Sequence, residues 1–176
     1  MITKLKEYLK REKAAALIMS EENISYFTAF HSSNGYLVVT GEKAVFLTDS
    51  RYLEAAQNKI TSCDEILNIK KMSDELVAVI SSLGVKKLML ESERITVARY
   101  NQLKKLFSDI ELVADSGLDS EIDTIRAIKT SLIYFILLLS TPHRPYNRYT
   151  LQFLRVKSHS LSVHLYHRMN TPDILL

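Results

Sequence analysis

A chain of 176 residues, 47% of them hydrophobic and 24% charged, is long enough to bury one sizeable core, too short for two ordinary domains, and too apolar to be wholly disordered. Its one cysteine, Cys63, excludes an internal disulfide framework and, with no Cys/His cluster beside it, a structural zinc site, which fits a reducing cytoplasm. A formal net charge of +3, with no clustering of basic residues in the body, excludes the electrostatic footprint of nucleic-acid binding.

Thr3 to Lys13 sets Leu5, Tyr8 and Leu9 at helical spacing among lysines and glutamates, which predicts an amphipathic helix with one buried face. The same stretch lacks the unbroken apolar core of an export signal, so a cytoplasmic location is expected. Ala14 to Met19 predicts a buried strand, and Ser20 stands where its hydroxyl can cap a short helix from Glu21 to Ala29. Gly35 to Thr40 and Lys43 to Thr48 are β-rich runs joined by Gly41 and Glu42, the pattern of an antiparallel hairpin. A helix over Arg51 to Lys59 and a strand over Glu65 to Ile69 follow. The next helix, Ser73 to Leu83, is capped by Ser73, carries acids in its first turn and ends at Gly84. Lys86 to Glu91 predicts a strand, Thr96 to Phe107 a helix, Ile110 to Val113 a last strand, and Leu118 to Lys129 a helix that leaves the domain. A hairpin followed by alternating helices and strands implies an α/β fold, a mixed β-sheet covered by helices.

From Leu132 the composition breaks. Leu132 to Leu139 is one unbroken apolar run, well short of the about 20 residues a membrane-spanning helix needs, so no membrane anchor is expected. Leu132 to Leu176 contains no alanine, glycine or glutamate, yet holds Pro142, Pro145, Pro172, His143, His159, His164 and His167. Up to Ser131 there are 18 Lys/Arg against 19 Asp/Glu, and beyond it 5 against 1, so the basic surplus belongs to the tail. These features divide the chain into a domain over 1–131 and a poorly organised tail over 132–176. The tail is expected to be read out of frame after an interruption near codons 130 to 133; the alternative is a genuine extension whose apolar run packs onto the body.

Asn23-Ile24-Ser25-Tyr26-Phe27-Thr28-Ala29-Phe30, ahead of His31-Ser32-Ser33, resembles the N-x-x-Y-x-T-G-F segment near the start of Xaa-Pro aminopeptidases, prolidases and creatinases. Ala29 stands where that family usually has glycine. Thr48-Asp49-Ser50-Arg51-Tyr52, followed by Ala55-Ala56, resembles its T-D-x-R-Y-x-x-x-A segment. Leu88-Met89-Leu90-Glu91, Tyr100-Asn101-Gln102-Leu103 and Asp123-Thr124-Ile125-Arg126-Ala127-Ile128-Lys129 are similar to later landmarks in the same order. The resemblance covers about Met1 to Leu132 and implies a creatinase N-terminal-domain-like, ribonuclease H-like fold. It also implies, in a full-length relative, a following pita-bread catalytic domain in which two aspartates, a histidine and two glutamates hold two divalent metals, manganese-like, that activate water against an Xaa-Pro bond. The tail here offers one acid, Asp173, so the catalytic domain is expected to be absent and no metal or other cofactor is expected in this chain. His164 and His167 would share a helical face, but no third ligand accompanies them.

Relatives use this N-terminal domain to build oligomers and to approach a neighbouring subunit's active-site mouth. The resemblance therefore makes His31, Asp49, Arg51 and Tyr52 the substrate-proximal candidates, with Arg51 a bidentate partner for a substrate carboxylate. The residues alone allow a plainer reading, in which Asp49 caps a helix, Arg51 makes an internal ion pair and His31 lies at the surface. Cys63 reads as a partly buried side chain with nothing to lower its pKa. The function expected is that of the N-terminal, non-catalytic domain of an Xaa-Pro peptidase, truncated or frameshifted, which serves oligomerisation (a homo-oligomer, such as a dimer) and substrate gating. It is expected to meet a proline-containing peptide only within a full-length relative, and to bind neither nucleic acid nor membrane. The alternatives are a stand-alone protein-interaction module and a residual metal-dependent Xaa-Pro peptidase.

Overall fold

The computed structural model describes residues 1–70 and 72–127. The expectations for the tail 132–176, its apolar run and its histidines lie outside the described residues, as does the cap expected from the Ser73 side chain. The elements run α1 (Ile2–Glu12), β1 (Ala15–Ile18), α2 (Glu21–Thr28), β2 (Gly35–Val39), β3 (Ala44–Thr48), α3 (Ser50–Lys59), β4 (Glu65–Asn68), α4 (Met72–Ser82), β5 (Lys87–Leu90), α5 (Val97–Leu106) and β6 (Glu111–Val113). Residues 116–127 form a sixth helix, α6.

The strands make one six-stranded sheet in the order β4-β3-β2-β1-β5-β6. The β1–β2 and β2–β3 pairs are antiparallel, with Leu17 opposite Val38 and Leu37 opposite Phe46, while β1–β5, β3–β4 and β5–β6 are parallel. The sheet is therefore mixed, as the hairpin followed by helical crossovers requires.

Alternation within each strand sends side chains into two cores. Ala16, Ile18, Leu37, Val39, Phe46 and Met89 face one side, against Leu5 and Leu9 of α1, Ile24 and Phe27 of α2, Ala56 of α3, and Leu118, Ile122 and Ile125 of α6. Ala15, Leu17, Val38, Val45, Leu47, Leu88 and Leu90 face the other, against Leu76 and Ile80 of α4, Leu103 of α5 and Phe107 just beyond it. Helices on both faces explain why β1 and β3 are buried at every position and read as continuous apolar runs.

The two-residue connection at Gly41-Glu42 does close a hairpin, but not because the glycine needs a positive φ, which among described glycines only Gly84 adopts. A Cβ on Gly41 would lie 2.9 Å from the Cβ and 3.0 Å from the Cα of Lys10, so the residue is small because the hairpin rides against α1. Ala29, the residue that departs from the family's glycine, ends α2 at φ 55°, and its N–H donates to the carbonyl of Ser25. That is the left-handed conformation in which a Cβ is unfavourable. Alanine therefore occupies, under strain, a turn whose backbone favours glycine.

Candidate functional site

The start of α3 gathers three of the four candidate residues. Asp49 is the N-cap: its Oδ1 accepts from the Arg51 N–H at 2.9 Å. The same carboxylate accepts from Arg51 Nη2 at 2.6 Å and from Nε, so Arg51 folds back onto its own helix cap. Asn34 Nδ2 donates to Asp49 Oδ2 at 2.8 Å, and the Thr48 hydroxyl holds the Asn34 carbonyl at 2.7 Å. The Arg51 guanidinium lies 5.5 Å from the centre of the Tyr52 ring. The Tyr52 hydroxyl shares a 3.0 Å hydrogen bond with Ser33 Oγ, and its ring packs edge-on to Phe30. The hydrogen bond from Arg51, then that from Asn34, holds the Asp49 carboxyl well below the usual carboxylate range, while Asp49 in turn raises the Arg51 pKa. The Asp49 side chain is 18% exposed and that of Arg51 69%, so the cation is what the cluster presents to solvent.

His31 is exposed on the loop after α2, outside this cluster. The local reading of Asp49 as a cap and Arg51 as its ion-pair partner describes the geometry in full. Arg51 keeps unused donors beyond it, because only the Nε/Nη2 edge of the fork is spent on Asp49.

A cleft of about 310 Å³ opens beside the same loop, lined by Ser33 and Asn34, by Met19 and Ser20 after β1, and by Glu91 and Arg94 after β5. The chain continues from β1 to one side of the sheet and from β5 to the other, so this is the crevice outside the carboxyl ends of two parallel strands where ligands of open α/β sheets usually bind. At its floor Glu91, 1% exposed, accepts four hydrogen bonds. They come from Met19 N–H (2.7 Å), Ser20 N–H (3.0 Å), Ser20 Oγ (2.5 Å) and Asn23 Nδ2 (2.7 Å). Asn23 Oδ1 then accepts from Arg126 Nη1 of α6 at 2.8 Å.

This arrangement corrects the reading of Ser20. Ser20 is the N-cap residue of α2, but its hydroxyl makes no cap bond to the helix; it is turned toward Glu91, to which it donates. Glu91, buried at the head of α2, also lies where the positive end of the helix dipole favours a negative charge. Asn23, Glu91 and Arg126 stand in separate sequence motifs, and their separations of 68 and 103 residues carry no local periodicity that would join them.

Cys63 is half-buried, and burial pushes its thiol up to about 11. Among the described residues no group of three or more His, Cys, Asp or Glu side chains could hold a metal ion, so these residues do not fit a di-metal centre. None of their helices is long and apolar enough to cross a membrane.

Residues 1–128 match the creatinase/prolidase N-terminal domain family. The chain is 32% identical over 115 residues to the uncharacterized peptidase YqhT of Bacillus subtilis, a match covering 65% of this chain and 32% of that protein. It is 38% identical over 96 residues to a putative Xaa-Pro aminopeptidase of Mycoplasma genitalium, covering 54% of this chain and 27% of the relative. The matched part is therefore about a third of the length of these relatives. Among solved structures, the N-terminal domain of the cytoplasmic peptidase PepQ from Mycobacterium tuberculosis superposes with a TM-score of 0.60 at 29% identity, covering 68% of this chain and 96% of that one.

Proposed function

This chain belongs to the creatinase/prolidase N-terminal domain family, and from that premise we propose that it serves as the non-catalytic N-terminal part of an Xaa-Pro peptidase of the aminopeptidase P or prolidase kind. Its work is oligomerisation and substrate gating in the cytoplasm, and the hydrolytic step, with the two divalent metals of a full-length relative, belongs elsewhere. The observation that carries this reading is the Asp49–Arg51–Tyr52 cluster, in which a guanidinium 69% exposed is aimed by its own helix cap. With its Nε/Nη2 edge spent on Asp49, Arg51 offers its remaining donors to the carboxylate of a proline-containing peptide held by a neighbouring subunit. Ser33 and Asn34 hold Tyr52 and Asp49 in place for that contact.

Two measurements on the purified chain test this. Sedimentation velocity at micromolar concentrations is expected to show a dimer, and a monomer throughout would remove the oligomerisation role. Incubation with manganese and an Xaa-Pro dipeptide is expected to release no proline; turnover by pure protein would overturn the non-catalytic reading and favour a residual peptidase.

A further inference from the structure

The last element of the family-matched region, α6, is fastened to the sheet at two points, and both lie on consecutive residues after β5. Asp119 of α6, itself buried, accepts from the Ser92 N–H at 2.8 Å and the Ser92 hydroxyl at 2.7 Å. One residue earlier Glu91 holds Asn23, which holds Arg126 nearer the other end of α6. Tyr26 closes over this second point: its hydroxyl donates to the Ile125 carbonyl at 3.1 Å, and the Arg126 guanidinium lies 5.7 Å from its ring centre.

We propose that Glu91, Asn23 and Arg126 form a polar relay that fixes the position of α6 on the domain, with Asn23 as the positioning residue. An ionised carboxylate only accepts hydrogen bonds and a guanidinium only donates them. A side chain placed between the two without touching both charges to each other must therefore donate on one side and accept on the other. The carboxamide of asparagine does this with Nδ2 toward Glu91 and Oδ1 toward Arg126. Asn23 is 2% exposed, so either half left unmade strands a polar atom away from water. The same carboxylate holds the Met19 and Ser20 N–H groups at the end of β1, which ties the seat of α6 to the floor of the cleft. The relay rests on these contacts alone and stands whether or not the proposed peptidase role does.

The test is amide hydrogen exchange on the full 176-residue chain, comparing residues 116–127 with α4, which packs on the opposite face of the sheet, as an internal reference. Asn23→Asp keeps an acceptor for Arg126 but places a second carboxylate against Glu91; Arg126→Met leaves the Glu91–Asn23 bond intact and empties the other half. Both variants are expected to speed exchange in α6 about tenfold or more while leaving α4 unchanged, the signature of local release and not of global unfolding. Wild-type protection of α6 in Asn23→Asp would show that Arg126 needs only an acceptor, and the relay would fall. Equal acceleration in α4 and α6 would reduce the three residues to general stability and overturn the positioning role.

Discussion

Replacing Ala29 by glycine is expected to stabilise this protein, the reverse of what truncation in a folded chain usually does. Ala29 is exposed, so deleting its methyl group forfeits little burial, and its N–H still reaches the Ser25 carbonyl. Relieving a Cβ at φ 55° gains about 1–2 kcal/mol. The greater freedom of glycine in the unfolded chain takes back about 0.4–1 kcal/mol, leaving a net gain of about 0.5–1 kcal/mol at the middle of the two ranges. With a urea m-value of about 2 kcal/mol per molar, the unfolding midpoint followed by circular dichroism rises by about 0.25–0.5 M. Gly84 supplies the mirror experiment, because it has φ +63° with nothing within 4 Å of an added Cβ. Gly84→Ala is expected to lower the midpoint by a similar amount through conformation alone. A destabilised Ala29→Gly, or two shifts of the same sign, would refute the assignment of strain to this turn.

Three further outcomes follow from buried or paired groups. Glu91→Gln is expected to lower stability by about 2–4 kcal/mol in the same urea assay, since the new amide faces Asn23 Nδ2 donor to donor while the remaining bonds lose their charge; an unchanged midpoint would refute it. Cys63, with its thiol at about 11, is expected to react with iodoacetamide at pH 8 roughly 100-fold more slowly in the native protein than in urea. Because its pKa is higher folded than unfolded, the associated stability is intact below the ordinary thiol value and declines as pH rises toward about 11. Asp64 has the opposite sign: Lys6, then the Ala44 N–H, hold its carboxyl low. Its contribution is present above the ordinary carboxylate range and is lost as pH falls through the folded value, so Asp64→Asn is expected to flatten the acid limb of a stability–pH curve.

The elements were legible because their signals are local. Leu5 and Leu9 at helical spacing give α1 its buried face, and the helix expected from Thr96 is α5, with Thr96 itself the cap that accepts from the Arg99 N–H. Gly84 ends the helix before β5 with the positive φ its type favours. Where local reasoning failed, a tertiary partner had intervened. Ser20 has the sequence signature of a cap, but Glu91, distant in the chain, takes its hydroxyl. Gly41 does close the hairpin its signature predicts, but the packing of Lys10 against it, which the local pattern does not show, is what keeps it small.

The same division separates the two halves of the candidate site. Asp49, Arg51 and Tyr52 lie within four residues of one another, so a cap and an ion pair could be read straight from their spacing. Asn23, Glu91 and Arg126 could not, because an asparagine in a helix, a glutamate at a strand end and an arginine near the end of a described helix are each unremarkable alone. Their one shared signal is that each belongs to a separate segment that resembles the family pattern. A buried carboxylate needs donors, a guanidinium brought beside it needs an acceptor, and a carboxamide is the side chain that satisfies both at once. Motifs that appear independent along the chain are thus one hydrogen-bonded unit at the junction of β5, α2 and α6.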